Sequence, residues 1–105
     1  MISTISHKQM KKIIENDINN YIIVDLRNKK GYNNYHVESA KNIEYEAFMK
    51  IEDYSFLTDK GKDIILYCSG GGRSIYATER LKRYIDYYNI NIKAYSLDGG
   101  ISYSY

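Results

Sequence analysis

The stretch DIILYCSGGGRS, residues 63–74, joins an apolar run to the single cysteine of the chain and to three consecutive glycines. Its first part, Asp63 to Cys68, is rich in apolar and β-branched residues, which is typical of a strand buried on both faces of a sheet. The following segment, residues 73–89, has one apolar helical stripe, formed by Ala77, Leu81, Ile85 and Tyr88. A strand, a glycine turn, a helix and a further strand form a βαβ unit, which predicts a parallel sheet.

Two more runs have the composition of buried strands, YIIVDL at residues 21–26 and IKAYSL at residues 92–97. Near the N-terminus, SHKQMKKIIENDI has apolar residues at helical spacing. Ser6 and Gln9 fit a capping box at its start.

In the middle of the chain we expect a short strand near Asn42 to Ile43 and a short helix over Tyr45 to Ile51. The elements together predict an α/β fold, with a central parallel sheet and helices on both faces. No linker or internal repeat is visible, so we expect one compact domain over residues 1–105.

Composition and charge narrow the function classes. The formal charge of +2 is spread along the chain and favours neither nucleic acid nor an anionic membrane as a partner. No apolar run is long enough for a signal peptide or a membrane span, and we therefore expect a cytoplasmic protein. One cysteine cannot form an internal disulfide, and one cysteine with two distant histidines makes a poor zinc site, so we expect a reduced thiol and no metal.

Cys68 stands at the carboxyl end of a predicted strand, where open α/β sheets bind ligands. The glycines beyond it can turn successive backbone N–H groups inward to form an anion-binding nest. The next helix, expected to begin near Arg73 or Ser74, directs its positive end to the same place. These features favour a thiolate and predict a nucleophilic cysteine. The alternative is an inert core cysteine, the more usual fate of such a residue without these neighbours.

The loop resembles the active-site loop of rhodanese-like sulfurtransferases, commonly Cys-x-x-Gly-x-Arg-Ser. Three other stretches, IIVDLR, YHVESAKNI and SLDGGI, are similar to further motifs of that family and occur in the family's order. The matching residues are Cys68, Gly71, Arg73, Ser74, Asp25, Arg27, His36, Ala40, Asn42, Ile43, Leu97, Gly99 and Gly100. Tyr35 and Ser39 stand where the family often has glycines.

The resemblance implies the rhodanese-like fold and a single-domain sulfurtransferase with a persulfide on Cys68. The sulfur would come from thiosulfate or a small persulfide and pass to an acceptor thiol, or to cyanide in an assay. A protein acceptor is a further option, and no cofactor is required. The terminal sulfur would be bound by the loop residues Ser69, Gly70, Gly71, Gly72, Arg73 and Ser74. Since Arg73 alone supplies charge in this loop, we expect a persulfide or another donor of low charge to be preferred over thiosulfate.

Two other functions stay open. Phosphatases and arsenate reductases of similar fold have a longer loop, Cys-x5-Arg, whereas four residues separate Cys68 from Arg73. A shorter ring of amides suits one added sulfur atom better than a phosphate, so the count favours sulfur transfer. A non-catalytic module that regulates or binds a partner is the second alternative.

Three polar residues outside the loop are candidates for the same site. Asp25 and Arg27 are two apart near the end of a strand and so share a face, which favours a structural ion pair or loop brace over a catalytic dyad. His36 is expected to be a hydrogen-bonded structural residue, because sulfur transfer from a preformed thiolate requires no general base.

Overall fold

A computed structural model describes residues 3–101 of the chain. Within these residues the strands are β1 (Thr4–Ile5), β2 (Tyr21–Asp25), β3 (Lys41–Asn42), β4 (Asp63–Tyr67) and β5 (Ala94–Leu97). The helices are α1 (His7–Asn16), α2 (Lys29–Asn34), α3 (Tyr45–Lys50), α4 (Ser55–Thr58) and α5 (Gly72–Tyr87), with a short 3-10 helix at Ile18–Asn20.

The strands form one parallel sheet in the order β1-β5-β4-β2-β3. The centre is the β2–β4 pair, which stays in register from Tyr21 beside Asp63 to Asp25 beside Tyr67. The predicted α/β class with a parallel sheet is confirmed. Because the strands are parallel, the segments that follow β2 and β4 leave the sheet at the same edge, where β4 delivers Cys68.

Alternate residues of the central strands pack into two separate cores, as expected for strands buried on both faces. On one face, Val24 and Leu66 pack with residues of α3, α4 and α5. On the other face, Ile23 and Ile65 pack with Met10 of α1 and with other apolar side chains. The predicted covering of both faces by helices is confirmed. The Cα radius of gyration is 12.5 Å, close to the value of about 13 Å expected for one compact domain of this size.

The capping box predicted at the start of α1 is present. The backbone N–H of Gln9 donates to Ser6 Oγ at 3.1 Å, and the backbone N–H of Ser6 donates to Gln9 Oε1 at 2.8 Å. These bonds satisfy two donors of the first turn, which otherwise lack a partner within the helix.

Several predicted boundaries shift by one or two residues. β2 and β4 stop one residue earlier than predicted, β3 starts and ends one residue earlier, β5 begins at Ala94, and α3 ends at Lys50. The helix after the glycine turn begins at Gly72. The prediction that Tyr88 belongs to the apolar stripe of that helix is wrong, since Tyr88 follows the last helical residue and is 59% exposed. No helix among residues 3–101 is long and apolar enough to cross a membrane.

Candidate active site

The sulfur of Cys68 sits in a cradle of hydrogen-bond donors immediately after β4. The backbone N–H groups of Gly71 and Ser74 donate to Sγ at 3.2 and 3.3 Å, and the thiol in turn donates to Ser74 Oγ at 3.5 Å. Gly71 has a φ of +91°, in the left-handed region that glycine adopts without strain. This residue turns the loop back toward the sulfur and also precedes the first residue of α5.

The sulfur therefore takes the place of a side-chain cap on α5. Gly71 occupies the N-cap position and has no side chain with which to accept a hydrogen bond. The first-turn N–H of Ser74, one of the donors without a partner within the helix, is satisfied by Cys68 Sγ instead. N–H donors and the positive end of the helix both favour a negatively charged sulfur at this position.

Cys68 lines a cavity of about 440 Å³. Four loop residues predicted at the site, Ser69, Gly70, Gly72 and Arg73, line this cavity together with Cys68. The segment after β2 and the helix α2 complete the lining through Leu26, Arg27, Asn28 and Gly31. Cys68 as a residue is only 4% exposed, so a reactant must enter the cavity to contact its sulfur.

The glycines of the SLDGGI motif support the loop from outside. Ile101 N–H donates to the carbonyl of Cys68 at 2.8 Å. Gly100 has a φ of +71°, and a Cβ atom there would lie 2.4 Å from the carbonyl oxygen of Ser69. A Cβ atom on Gly71 would lie 3.0 Å from the backbone nitrogen of Gly99. The two loops are thus in direct backbone contact, which explains why both are rich in glycine.

Arg73 supplies a positive charge at the rim of the cavity. It is exposed, and its guanidinium carbon lies 5.8 Å from the centre of the Tyr45 ring, over that ring. A cation above an aromatic ring in this range is attracted to it, so Tyr45, the first residue of α3, restrains Arg73 beside the cavity.

Asp25 and Arg27 form a partly buried ion pair. Arg27 Nη2 contacts Asp25 Oδ2 at 2.8 Å, and the backbone N–H of Arg27 donates to Asp25 Oδ1 at 2.9 Å. Arg27 Nη2 also donates to the carbonyl of Tyr35. The hydrogen bond to Asp25 raises the pKa of the Arg27 guanidinium. The pair ties the end of β2 to the segment after α2.

His36 does not line the cavity described above. Its ring stacks on Tyr32, with 3.7 Å between the ring centres, and its Nδ1 lies 2.7 Å from the carbonyl oxygen of Tyr32. Within residues 3–101, no group of three or more His, Cys, Asp or Glu side chains is arranged to hold a metal ion.

One residue of this site was missed from the sequence. Ser96, on β5, is fully buried, and its Oγ lies 2.7 Å from Ser74 Oγ. A polar residue inside the apolar run IKAYSL is the signal that could have drawn attention to it, since buried hydroxyls are normally hydrogen-bonded.

Comparison with curated proteins finds a similar protein in Buchnera aphidicola. Over 100 residues the chain is 35% identical to the tRNA uridine(34) hydroxylase of Buchnera aphidicola. The alignment covers 92% of this chain but only 30% of that protein's length.

Two solved structures show the same fold. The rhodanese-related protein of Thermoplasma volcanium superposes with a TM-score of 0.71 at 20% identity, covering 93% of this chain and 85% of that one. A Rhodopseudomonas palustris protein described as a possible tyrosine phosphatase superposes with a TM-score of 0.75 at 16% identity, covering 94% of this chain and 76% of that one. The family model of the rhodanese-like domain matches residues 6–103, and the chain belongs to that family.

Proposed function

We propose that this protein transfers sulfane sulfur through a persulfide on Cys68. The observation that supports this most strongly is the pair of backbone N–H groups, from Gly71 and Ser74, that donate to the cysteine sulfur. Donors fixed by the fold stabilise an anion without reorganising at the moment of reaction. These donors suit the thiolate nucleophile, and they also suit the terminal sulfur anion of a persulfide formed on it.

The reaction has two balanced steps. In the first, the Cys68 thiolate attacks the outer sulfur of R–S–S⁻, the Sγ–S bond forms as the donor S–S bond breaks, and R–S⁻ leaves. With thiosulfate as the donor the leaving group is sulfite. In the second, cyanide or a thiolate attacks the terminal sulfur of the persulfide, and the Cys68 thiolate is regenerated. Since the chain has one cysteine, the acceptor must come from outside it.

The cavity suits a donor or acceptor larger than thiosulfate. Its volume of about 440 Å³ falls within the range of about 300–1,000 Å³ found for sites that bind small organic molecules. Of the two arginines that line it, Arg27 is already paired with Asp25, so Arg73 carries the charge left to attract a donor. We therefore infer a preference for a persulfide of low molecular weight over the thiosulfate dianion.

Steady-state formation of thiocyanate from cyanide tests both parts of the proposal, with glutathione persulfide and thiosulfate as alternative donors. We expect turnover with each donor, a higher kcat/KM with glutathione persulfide, and no turnover by the Cys68→Ser variant. Equal kcat/KM values would contradict the inferred preference. Vanadate-sensitive hydrolysis of an aryl phosphate without thiocyanate formation would instead favour a phosphatase.

A further inference from the structure

The hydroxyl of Ser74 connects the reacting sulfur to a second hydroxyl on the sheet. Ser74 Oγ lies 3.5 Å from Cys68 Sγ and 2.7 Å from Ser96 Oγ. Ser74 and Ser96 are both fully buried. The helix α5 and the strand β5 thus each contribute a hydroxyl to a chain of three polar groups that ends at the sulfur.

The direction of these hydrogen bonds follows from the partners available. Within residues 3–101, the partner found for the Ser96 hydroxyl is Ser74 Oγ. A buried hydroxyl that keeps its proton unpaired is destabilising, so Ser96 donates and Ser74 accepts. While Cys68 is a thiol, Sγ donates to Ser74 Oγ, and the single hydroxyl proton of Ser74 goes to the carbonyl oxygen of Gly71 at 3.3 Å. Once Cys68 is a thiolate, its sulfur has no proton to donate and becomes a second acceptor within reach of the Ser74 proton.

A negative charge on Cys68 decides between those two acceptors. Hydrogen bonds to an ionised acceptor are roughly twice as strong as bonds between neutral groups, so the Ser74 proton turns to the sulfur anion. Donation from Ser96 polarises the Ser74 hydroxyl and makes it a stronger donor, as in other hydrogen-bond chains. Because the Ser96 hydroxyl donates to Ser74 Oγ, the proton of the Ser74 hydroxyl remains available to the sulfur.

We infer that Ser96 is a positioning residue, which acts through Ser74 to stabilise the sulfur anion of Cys68. This inference rests on the proposed function, because sulfur uptake is the step that needs the anion. The alternative is that Ser96 merely fits a space between α5 and β5 that has room for a small side chain.

A double-mutant cycle separates the two explanations, using the rate at which iodoacetamide alkylates Cys68 near neutral pH. We expect Ser96→Ala to slow alkylation about three- to tenfold, a factor that corresponds to the loss of one neutral hydrogen bond. Ser74→Ala should slow it at least as much. Adding Ser96→Ala to Ser74→Ala should change nothing further. An equal effect of Ser96→Ala in both backgrounds, or no effect in either, would overturn the inference.

A comparison of Ser96→Thr with Ser96→Val covers the case in which Ser96→Ala does not fold. These variants share one shape and differ by the hydroxyl, so any cost of the added methyl group cancels. We expect Ser96→Thr to alkylate faster and its pH profile to lie at lower pH than that of Ser96→Val. Identical profiles would overturn the inference.

Thr78→Val is the matched control. Thr78 lies on the same helix as Ser74, is fully buried, and has no hydrogen-bond partner among the described residues, so its hydroxyl has no link to the sulfur. We expect alkylation by this variant at the rate of the unmodified chain. Alkylation does not require sulfur transfer. A cycle that behaves as expected in a protein that forms no persulfide would therefore reject the proposed function and leave the role of Ser96 standing.

Discussion

At the scale of single residues, the Asp25–Arg27 ion pair shows that burial decides how much stability is lost when one partner is removed. The side chain of Asp25 is fully buried, and that of Arg27 is 13% exposed. Removing one partner of such a pair leaves the other charged and unpaired in a poorly solvated place, which costs far more than loss of an exposed pair. Arg27 also contacts the ring of Tyr67 and the carbonyl of Tyr35, so it joins three segments.

We therefore expect Arg27→Met to lower the free energy of unfolding by about 3 kcal/mol, measured by urea denaturation. The matched control is Arg83→Met, because Arg83 pairs with Glu79 on the exposed side of α5 with its side chain 77% accessible to solvent. That control should change stability by less than about 1 kcal/mol. Equal losses in the two variants would show that burial of the Asp25–Arg27 pair has no special effect.

The residues of the site differ in how far the sequence could reveal them. Cys68, Gly71 and Ser74 form a local motif, so the sequence predicted that they would meet, and the structure brings them together. Ser96 joins them from β5, and a single sequence does not say which residue of that strand faces α5. Ser39 shows that a departure from the family's sequence pattern need not change the backbone conformation. It stands where the family often has glycine, yet its φ of +69° retains the left-handed conformation that glycine prefers.

At the scale of elements, the cysteine loop depends on the loop after β5. The carbonyl of Cys68 accepts a hydrogen bond from Ile101, and Gly100 packs directly on the backbone of Ser69. The geometry around the sulfur is thus fixed by contact between the loops that follow β4 and β5, which are neighbouring strands.

We expect Gly100→Ala to destabilise the protein and to slow sulfur uptake. The new Cβ atom would meet backbone atoms of Ser69 and Cys68 at 2.4–2.7 Å, and the φ of +71° adds strain. Overpacking of this kind costs about 1–3 kcal/mol, and the left-handed conformation about 1–2 kcal/mol more.

Gly61→Ala isolates the strain of the left-handed backbone conformation from the overpacking. Gly61 has a φ of +67°, and its added Cβ atom would have no neighbour within 4 Å. We expect this control to lose only the strain part, about 1 kcal/mol in urea denaturation, with normal sulfur uptake. A loss in Gly100→Ala no larger than that of the control would contradict the support assigned to this contact.

The longer elements that the sequence predicted have a clear apolar pattern. β2 and β4 are continuous apolar runs, and α5 has a stripe that matches helical spacing. The missed elements have no such pattern. β1 is two residues long and lies at the edge of the sheet, and α4 is four residues long. The sequence of α2 is KKGYNN, which is mostly polar. The preceding Asn28 caps this helix, and the hydroxyl of Tyr32 donates to the carbonyl of Ala40. Tertiary contacts fix such short elements more than propensity does.

At the scale of the whole molecule, the tyrosines make stability sensitive to alkali. Burial raises the pKa of Tyr67, and burial also leads the increase at Tyr54, Tyr21 and Tyr95. At the surface, the hydrogen bond from its hydroxyl to Asp53 raises the pKa of Tyr84 to about 12. Folding thus favours the protonated form of each of these tyrosines.

The sign of the pH effect follows from this difference. The unfolded chain releases the protons of these five tyrosines near pH 10, while the folded chain retains them to higher pH. Tyrosine ionisation therefore leaves stability unchanged well below pH 10, and from pH 10 to 12 stability falls progressively. Parallel titrations by circular dichroism and by absorbance at the tyrosinate band test this. Ionisation of all thirteen tyrosines near pH 10 in a chain that stays folded would contradict it.

The measurement that tests the central claim most directly is the intact mass of the reduced protein after exposure to glutathione persulfide. We predict a gain of one sulfur atom, which cyanide removes and which is absent from the Cys68→Ser variant. The same gain in Cys68→Ser, or no gain in a folded parent protein with either glutathione persulfide or thiosulfate, would contradict a persulfide on Cys68.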